Sequence, residues 1–395
     1  MDSGREVIVL SGVRTAIGDY GGGLKDVAPT ELAGKVIREA VSRAKLSPDA
    51  VGHVVIGNVI HTEPKDMYIS RVAAINGGLP KETPALTLNR LCGSGLQAIV
   101  SAAQVIALGD AEAAVGGGVE SMSRGAYALP SARWGARMGD AQIMDMMVGA
   151  LTDPFDTVHM GITAENVAAK WEISRQQQDE MALESNRRAV NAIQKGLFKD
   201  QILPVELKAR KGPVVVDTDE HPRADASLEG LAKLKTVFKP DGTVTAGNAS
   251  GINDGAAAVV LMERKAAEKR GLKPLARLVA YAHAGVDPRY MGIGPVPAVK
   301  KVLERAGLKV GDMDVIESNE AFAAQACAVA KDLGFDLKKV NPNGGAIALG
   351  HPIGATGCIL TVKAIYELQR TGGRYGLVTM CIGGGQGIAA VFERM

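Results

Sequence analysis

A weak internal repeat constrains this chain more than any other feature. Residues 31–60 hold a helical pattern from Glu31 to Ala44, the linker Lys45-Leu46-Ser47-Pro48-Asp49, and the strand-like run Val54-Val55-Ile56-Gly57-Asn58. Residues 297–321 replay that order as Ala298 to Ala306, Gly307-Leu308-Lys309-Val310-Gly311 and Val315-Ile316-Glu317-Ser318-Asn319. Each copy is followed by a glycine-flanked residue of reactive type that opens a helix: Cys92 in Cys92-Gly93-Ser94-Gly95, and His351 in Gly350-His351-Pro352-Ile353-Gly354. Each of those helices leads to a strand ending in glycines, Ala113 to Gly118 and Tyr375 to Gly385. Two duplicated βα halves would set both helix N-termini side by side and build one site from distant segments.

The helix from Gly93 to Leu108 is apolar or small around nearly its whole circumference, with Ser94, Gln97, Ser101 and Gln104 as a thin polar stripe. Such a helix is buried, here as a central layer between two sheets. At 395 residues the chain exceeds one ordinary core. Residues 122–251 differ in composition, carrying both tryptophans and many methionines. They include a capping box at Ser174-Arg175-Gln176-Gln177, with Gly196 as the stop. The expected organisation is an N-terminal half of 1–121 plus 252–273, an inserted loop domain of 122–251 over the site, and a C-terminal half of 274–395.

Charge and cysteine content exclude several classes. A net charge of +2 gives no reason to expect a nucleic-acid or membrane partner. Cys92, Cys327, Cys358 and Cys381 are far apart with no C-x-x-C, which argues against a zinc site or a disulfide framework. The N-terminus reads as a strand, Glu6-Val-Ile-Val-Leu-Ser, and no apolar run is expected to approach membrane length. A cytoplasmic protein with free thiols is the expectation.

Cys92 sits between the strand-like Leu86-Thr87-Leu88 and the buried helix, where unpaired N–H groups and the macrodipole are expected to lower a thiol pKa. The alternative is a small core residue, as most free cysteines are. His351, in a run dense in glycine, suits an acid/base, a metal ligand or a loop residue; no second His or carboxylate stands at ligand spacing. Cys381, in Met380-Cys381-Ile382-Gly383-Gly384-Gly385, ends a strand, and the Gly383 amide is placed to donate to an oxyanion. His53, His61, His221 and His283 show no partner pattern.

Asn89-Arg90-Leu91-Cys92-Gly93-Ser94-Gly95-Leu96-Gln97-Ala98 resembles the nucleophile segment of thiolases. Asn319-Glu320-Ala321-Phe322-Ala323 is similar to the family's NEAF element, and Gly350-His351-Pro352 and Cys381-Ile382-Gly383-Gly384-Gly385 resemble its two C-terminal signatures. These segments stand in the family's order and, with Ser11-Gly12-Val13-Arg14-Thr15, span essentially the whole chain. The resemblance is nearest to bacterial short-chain β-ketothiolases that feed polyhydroxyalkanoate synthesis.

That resemblance implies a duplicated α/β fold layered αβαβα, and reversible Claisen condensation of acetyl-CoA with a short acyl-CoA. Cys92 would become an acyl-thioester with help from His351, and Cys381 would remove the α-proton of a second acetyl-CoA. His351 and a water on Asn319 would hold the enolate oxygen, and the N–H groups of Cys92 and Gly383 the acyl oxyanion. His159 and Met160 would line the pantetheine channel. Arg223, Leu231, Ala246 and Ser250 would contact CoA, Phe322 would belong to the same substrate- and CoA-binding set, and Leu151 and Met291 would narrow the acyl pocket. No cofactor beyond CoA as substrate and product is implied, and the family forms dimers or tetramers; Arg133 to Met138 is the expected subunit contact. Ser318 departs from the apolar or small residue usual before the Asn.

The rivals are a ketoacyl synthase, a degradative 3-ketoacyl-CoA thiolase, a dinucleotide-binding oxidoreductase and a non-catalytic acyl-CoA carrier. A decarboxylating synthase would show a Cys-His-His set where this chain has Asn319 and a second cysteine. No G-x-G-x-x-G follows the first strand. A carrier should lack one of Cys92, Asn319, His351 and Cys381.

Overall fold

The computed structural model describes residues 4–208 and 212–395. In chain order the elements that frame the site are β1 (Val7–Thr15), α1 (Pro29–Arg43), β2 (His53–Gly57), β3 (Ala85–Leu88), α2 (Ser94–Leu108), β4 (Ala113–Ser121), α3 (Met160–Trp171), α4 (Arg175–Gln194), β5 (Asn253–Glu263), β6 (Ala276–Gly285), α5 (Pro295–Ala306), β7 (Val315–Ser318), α6 (Ala323–Leu333), α7 (Ile353–Thr371), β8 (Tyr375–Ile382) and β9 (Gln386–Arg394).

The repeat seen in the sequence is a repeat of structure. In the first half the sheet order is β3-β2-β4-β5-β1; in the second, β9 lies between β6 and β8, and β8 pairs with β7. The matching pairs keep their sense: β2 runs parallel to β4 as β7 does to β8, and β4 is antiparallel to β5 as β8 is to β9. The second half's counterpart of β3 shrinks to one parallel bridge, Ile316 to Val340. Even the linkers match, each forming a single 3-10 turn, Pro48–Ala50 and Val310–Asp312. The two sheets are not separate, as expected from sequence, but join through a short antiparallel ladder between β1 and β6 (Ile8 with Arg277, Val9 with Ala276).

Helices α2 and α7 form the central layer. α2 packs on β2, β4 and β5 from one side and meets α7 and β9 on the other. The helices approach closely because they cross at glycines. A Cβ on Gly95 would sit 2.7 Å from the Cys358 nitrogen, and one on Gly357 would sit 2.3 Å from the Leu96 nitrogen. The stretch Leu91–Leu108 is in fact long and apolar enough, by length and composition, to cross a membrane, contrary to the sequence expectation. Here it is the core helix, and its polar stripe serves the join between the halves. Gln97 contacts His283 Nε2 at 2.7 Å, and Gln104 donates to the Tyr281 hydroxyl at 2.7 Å. His283 therefore has a partner, though away from the site.

Helix α4 begins with the expected capping box at Ser174 and Gln177, and Gly196 beyond its end has φ +67°. The segment between β4 and β5 is pinned to β1 by a buried bidentate pair, Arg14 to Asp219 at 2.7 and 2.9 Å. Arg14 Nε also donates to Gln201. Burying those charges is tolerable only because each remaining polar atom has a partner.

Candidate active site

The turn ahead of α2 holds Cys92 out of regular structure. Leu91 adopts φ +45°, a left-handed conformation that costs a branched side chain energy and persists only where neighbours enforce it. Asn89 Oδ1 accepts the Leu91 N–H at 2.8 Å. Ser94 Oγ accepts from the Arg90 N–H at 2.8 Å and donates to the Leu91 carbonyl at 2.7 Å. Gly93 lets this turn lie on β8: a Cβ there would be 2.6 Å from Ile382 Cδ1.

His351 reaches the same place from the other half. Gly350, with φ +105°, is packed on the Asn253 amide, which leaves no space for a Cβ. The His351 N–H donates to Asn253 Oδ1 at 2.9 Å. Asn319, just past β7, donates its own N–H to the Thr379 carbonyl. Its Nδ2 stands 3.4 Å from His351 Nε2, and its buried Oδ1 has no protein partner. Cys381, at the end of β8, is 1% exposed.

Cys92, His351 and Cys381 surround a cavity of about 410 Å³, while Asn319, fully buried, contacts the His351 ring without lining it. Cys92, His351, Cys381 and Gly383 line its inner end; Leu151, His159, Met160, Arg223, Ala246, Ser250, Met291 and Phe322 line the rest. Leu231 does not reach it. It is buried with Ala182, Ala323 and Ile347, and its side chain fills the space a Cβ on Gly247 would need, so it supports the wall from behind. Arg223 is exposed at the mouth.

Sequence reasoning missed several residues. His221 lines the cavity, and its Nδ1 lies 2.6 Å from Asp19 Oδ1; its partner is two hundred positions away in sequence, so no local pattern announces it. Phe238 stacks on His159 with centroids 4.6 Å apart at 16° and meets Phe322 edge-on. The only local trace is Gly161, where a Cβ would strike the Phe238 ring at 2.2 Å.

The electrostatics also differ from expectation. α2 starts at Ser94, with Gly93 as its cap, so Cys92 lies just outside the helix. Burial pushes the Cys92 thiol up to about 11, against the opposing hydrogen bonds from the N–H groups of Gly383 and Cys92 itself. Desolvation outweighs those two hydrogen bonds. Burial raises Cys381 as well, the neighbouring Cys92 adding to it, and depresses His351 to about 4. All three shifts favour the neutral forms, two thiols and an uncharged imidazole. Glu120, enclosed behind it, accepts from Asn58 Nδ2, Val59 N, Ile60 N and Gly354 N. Among the described residues no group of three or more His, Cys, Asp or Glu is arranged to hold a metal ion.

The Ser318 departure leaves Asn319 undisturbed. Ser318 is held through its backbone, its N–H donating to Asn341 Oδ1 at 2.9 Å and its carbonyl accepting from Asn341 Nδ2 at 2.8 Å. Its side chain faces a different cavity of about 510 Å³, lined also by Cys327 and Glu320.

Two family models, thiolase N-terminal domain and thiolase C-terminal domain, match residues 7–265 and 272–394. The chain is 70% identical over 392 residues to the beta-ketothiolase BktB of Cupriavidus necator, covering 99% of this chain and 100% of that one. It superposes with a TM-score of 0.97 on the acetyl-CoA acetyltransferase of Bacillus anthracis, at 48% identity and 99% coverage of both chains. Human mitochondrial 3-ketoacyl-CoA thiolase in complex with CoA gives a TM-score of 0.96 at 46% identity, covering 99% and 98%.

Proposed function

The chain belongs to the thiolase family, and on that premise we propose that it joins acetyl-CoA to a short acyl-CoA, reversibly, through an acyl group carried on Cys92. The observation that carries this reading is that Cys92, His351, Cys381 and Gly383, drawn from both halves of the chain, line one cavity, so that a carbonyl on Cys92 lies within the same enclosure as the imidazole, the second thiol and the Gly383 backbone. Donors aimed at the point where an oxyanion develops lower the barrier to acyl transfer.

In the first half-reaction the Cys92 proton passes to His351 Nε2 and the sulfur attacks the acyl carbonyl carbon. The oxyanion is met by the N–H groups of Gly383 and Cys92. On collapse the C–S bond to CoA breaks, and the departing thiolate takes the Cys381 proton. The site then holds an acyl-thioester, an imidazolium and a Cys381 thiolate. This is the protonation state that the second half needs. Cys381 removes the α-proton of acetyl-CoA, while His351 Nε2–H and a water on Asn319 Oδ1 receive the enolate oxygen. The carbanion attacks the acyl carbonyl and expels the Cys92 thiolate, which is reprotonated from the His351 imidazolium, while Cys381 keeps the α-proton and the site returns to its starting state.

The apolar channel past Met160, Phe238 and Phe322 suits pantetheine, and Arg223 at the mouth suits the nucleotide end. Met291 and Leu151 limit the acyl chain. CoA is substrate and product, and no other cofactor is required. The protein works in the cytoplasm as a homodimer or homotetramer and supplies 3-ketoacyl-CoA for polyhydroxyalkanoate synthesis. Trp134 and Met138, 89% and 93% exposed, are the subunit contact. Incubation with acetyl-CoA should add one acetyl mass to the intact protein, and Cys92→Ser should abolish it. An increment that survives that substitution excludes the mechanism. Thiolysis rates on four- to eight-carbon 3-ketoacyl-CoAs separate this reading from a fatty-acid-degrading one.

A further inference from the structure

Glu320 directly follows Asn319 but points away from the cavity that holds Cys92, and no step of the mechanism uses it. It is 3% exposed, and its carboxylate is enclosed by donors from separate segments. Oε1 accepts from Asn341 Nδ2 at 2.7 Å, and Oε2 accepts from Ser185 Oγ at 2.7 Å and from the Ile347 N–H at 3.2 Å. Ser185 in turn accepts the Gly345 N–H at 3.0 Å. Gly345 has no side chain because the carboxylate occupies its place: a Cβ there would lie 2.1 Å from the Glu320 carboxyl carbon. One carboxylate thus ties together the end of β7, the glycine loop that leads to His351, and α4 of the inserted segment. Asn341 Nδ2 also donates to the Ser318 carbonyl, so the chain on both sides of Asn319 is held to that loop.

We propose that Glu320 is a positioning residue for enolate formation, fixing Asn319 relative to His351 by anchoring the 341–347 loop. His351 has its own supports, since Asn253 holds its backbone and Thr356 its Nδ1. The Asn319 backbone donates to the Thr379 carbonyl and accepts from Gln325 Nε2, but its side chain has only the 3.4 Å contact to His351, so the placing of that amide against the ring depends more on the anchored loop. Loss of the anchor therefore weakens the enolate-holding pair more than the acyl-transfer pair. A carboxamide cannot replace the carboxylate, because its NH2 would face a donor on either side, and turning Asn341 over would break both of its bonds to Ser318.

This inference rests on the thiolase reading, and the test separates the two. Two rates are measured on full-length protein: acetylation of Cys92 by acetyl-CoA, followed by intact mass, and solvent deuterium exchange into the acetyl-CoA methyl group. Glu320→Gln should lower exchange at least about tenfold while leaving acetylation and KM within about threefold. Glu320→Asp should recover part of the exchange. Ser185→Ala, which removes a single donor, should show a smaller loss with the same split, and stands in if Glu320→Gln fails to fold. Unchanged exchange, or an equal fall in both rates alongside a lowered Tm, overturns the proposal. Absence of acetylation in the unsubstituted protein would instead overturn the acyl-Cys92 reading.

Discussion

His351 Nδ1 lies 2.7 Å from the Thr356 hydroxyl, and that hydroxyl gives its one proton to the Pro352 carbonyl 2.9 Å away. The hydroxyl can then only accept from the ring, so this network assigns the proton to Nδ1 and turns the Nε2 lone pair toward Asn319 and the cavity. Thr356→Val removes the acceptor and frees the tautomer. It should lower kcat about tenfold, the effect of losing one orienting hydrogen bond of about 1.4 kcal/mol, with KM little changed. Thr356→Ser should restore the rate. Steady-state kinetics on the three proteins check this.

Cys381 and Cys92 share one cavity but differ in task. Cys381→Ser should still carry an acetyl group on Cys92 at the end of the reaction, reached more slowly because the departing CoA thiolate loses its proton donor, yet lose condensation by about 10² to 10⁴, the range for removing a general base. Intact mass and coupled condensation assays on one preparation distinguish this from general damage, in which the final extent of acetylation would fall as well.

The raised pKa of Cys92 predicts its reactivity in the free protein. A thiol near 11 is almost wholly protonated at neutral pH, so alkylation by iodoacetamide should climb steadily from pH 7 to 9. A plateau reached near pH 7 would show that the helix terminus outweighs desolvation after all.

His351 also links stability to pH. Its folded pKa, about 4, lies below the ordinary value of 6.5, so the unfolded chain binds more protons between those limits. Stability should therefore fall as pH drops from about 6.5 to about 4, by about 3 kcal/mol for this group. His351→Gln should flatten that part of the curve, as followed by urea denaturation across the window.

The α2–α7 crossing should tolerate no added methyl. Gly357→Ala places its Cβ 2.3 Å from the Leu96 backbone nitrogen, which cannot swing aside as a flexible side chain could. Overpacking at such a site costs about 1–3 kcal/mol, to be read as a lowered Tm together with reduced activity, since Gly354 and Cys92 flank the same contact.

Much of the fold was legible because it obeys local rules twice. The pairs α1–β2 and α5–β7 each carry helical periodicity, a short linker and a β-branched run, and the capping box at Ser174 names its own helix. The catalytic candidates Cys92, His351 and Cys381 were legible because each sits beside glycines that a turn requires. Phe238, Asn253, Thr356 and the Asp19 partner of His221 were not. Their roles come from contacts between segments far apart in sequence, and an isolated aromatic, amide or hydroxyl has no local pattern to mark it. Leu231, which the resemblance places at CoA, is buried with Ala182, Ala323 and Ile347 behind the cavity wall, a packing that no local pattern announces.

The sequence alone determined two related halves, a buried helix behind Cys92, and the residue types for thiol and imidazole chemistry, because periodicity and glycine placement are local properties. The tertiary structure decided the protonation states. It desolvates Cys92 more than the nearby N–H groups compensate, gives His351 a tautomer through Thr356, and brings the Asn319 amide to 3.4 Å from the His351 ring. Solvation and hydrogen-bond partners belong to the assembled site, and no single segment of the chain contains them.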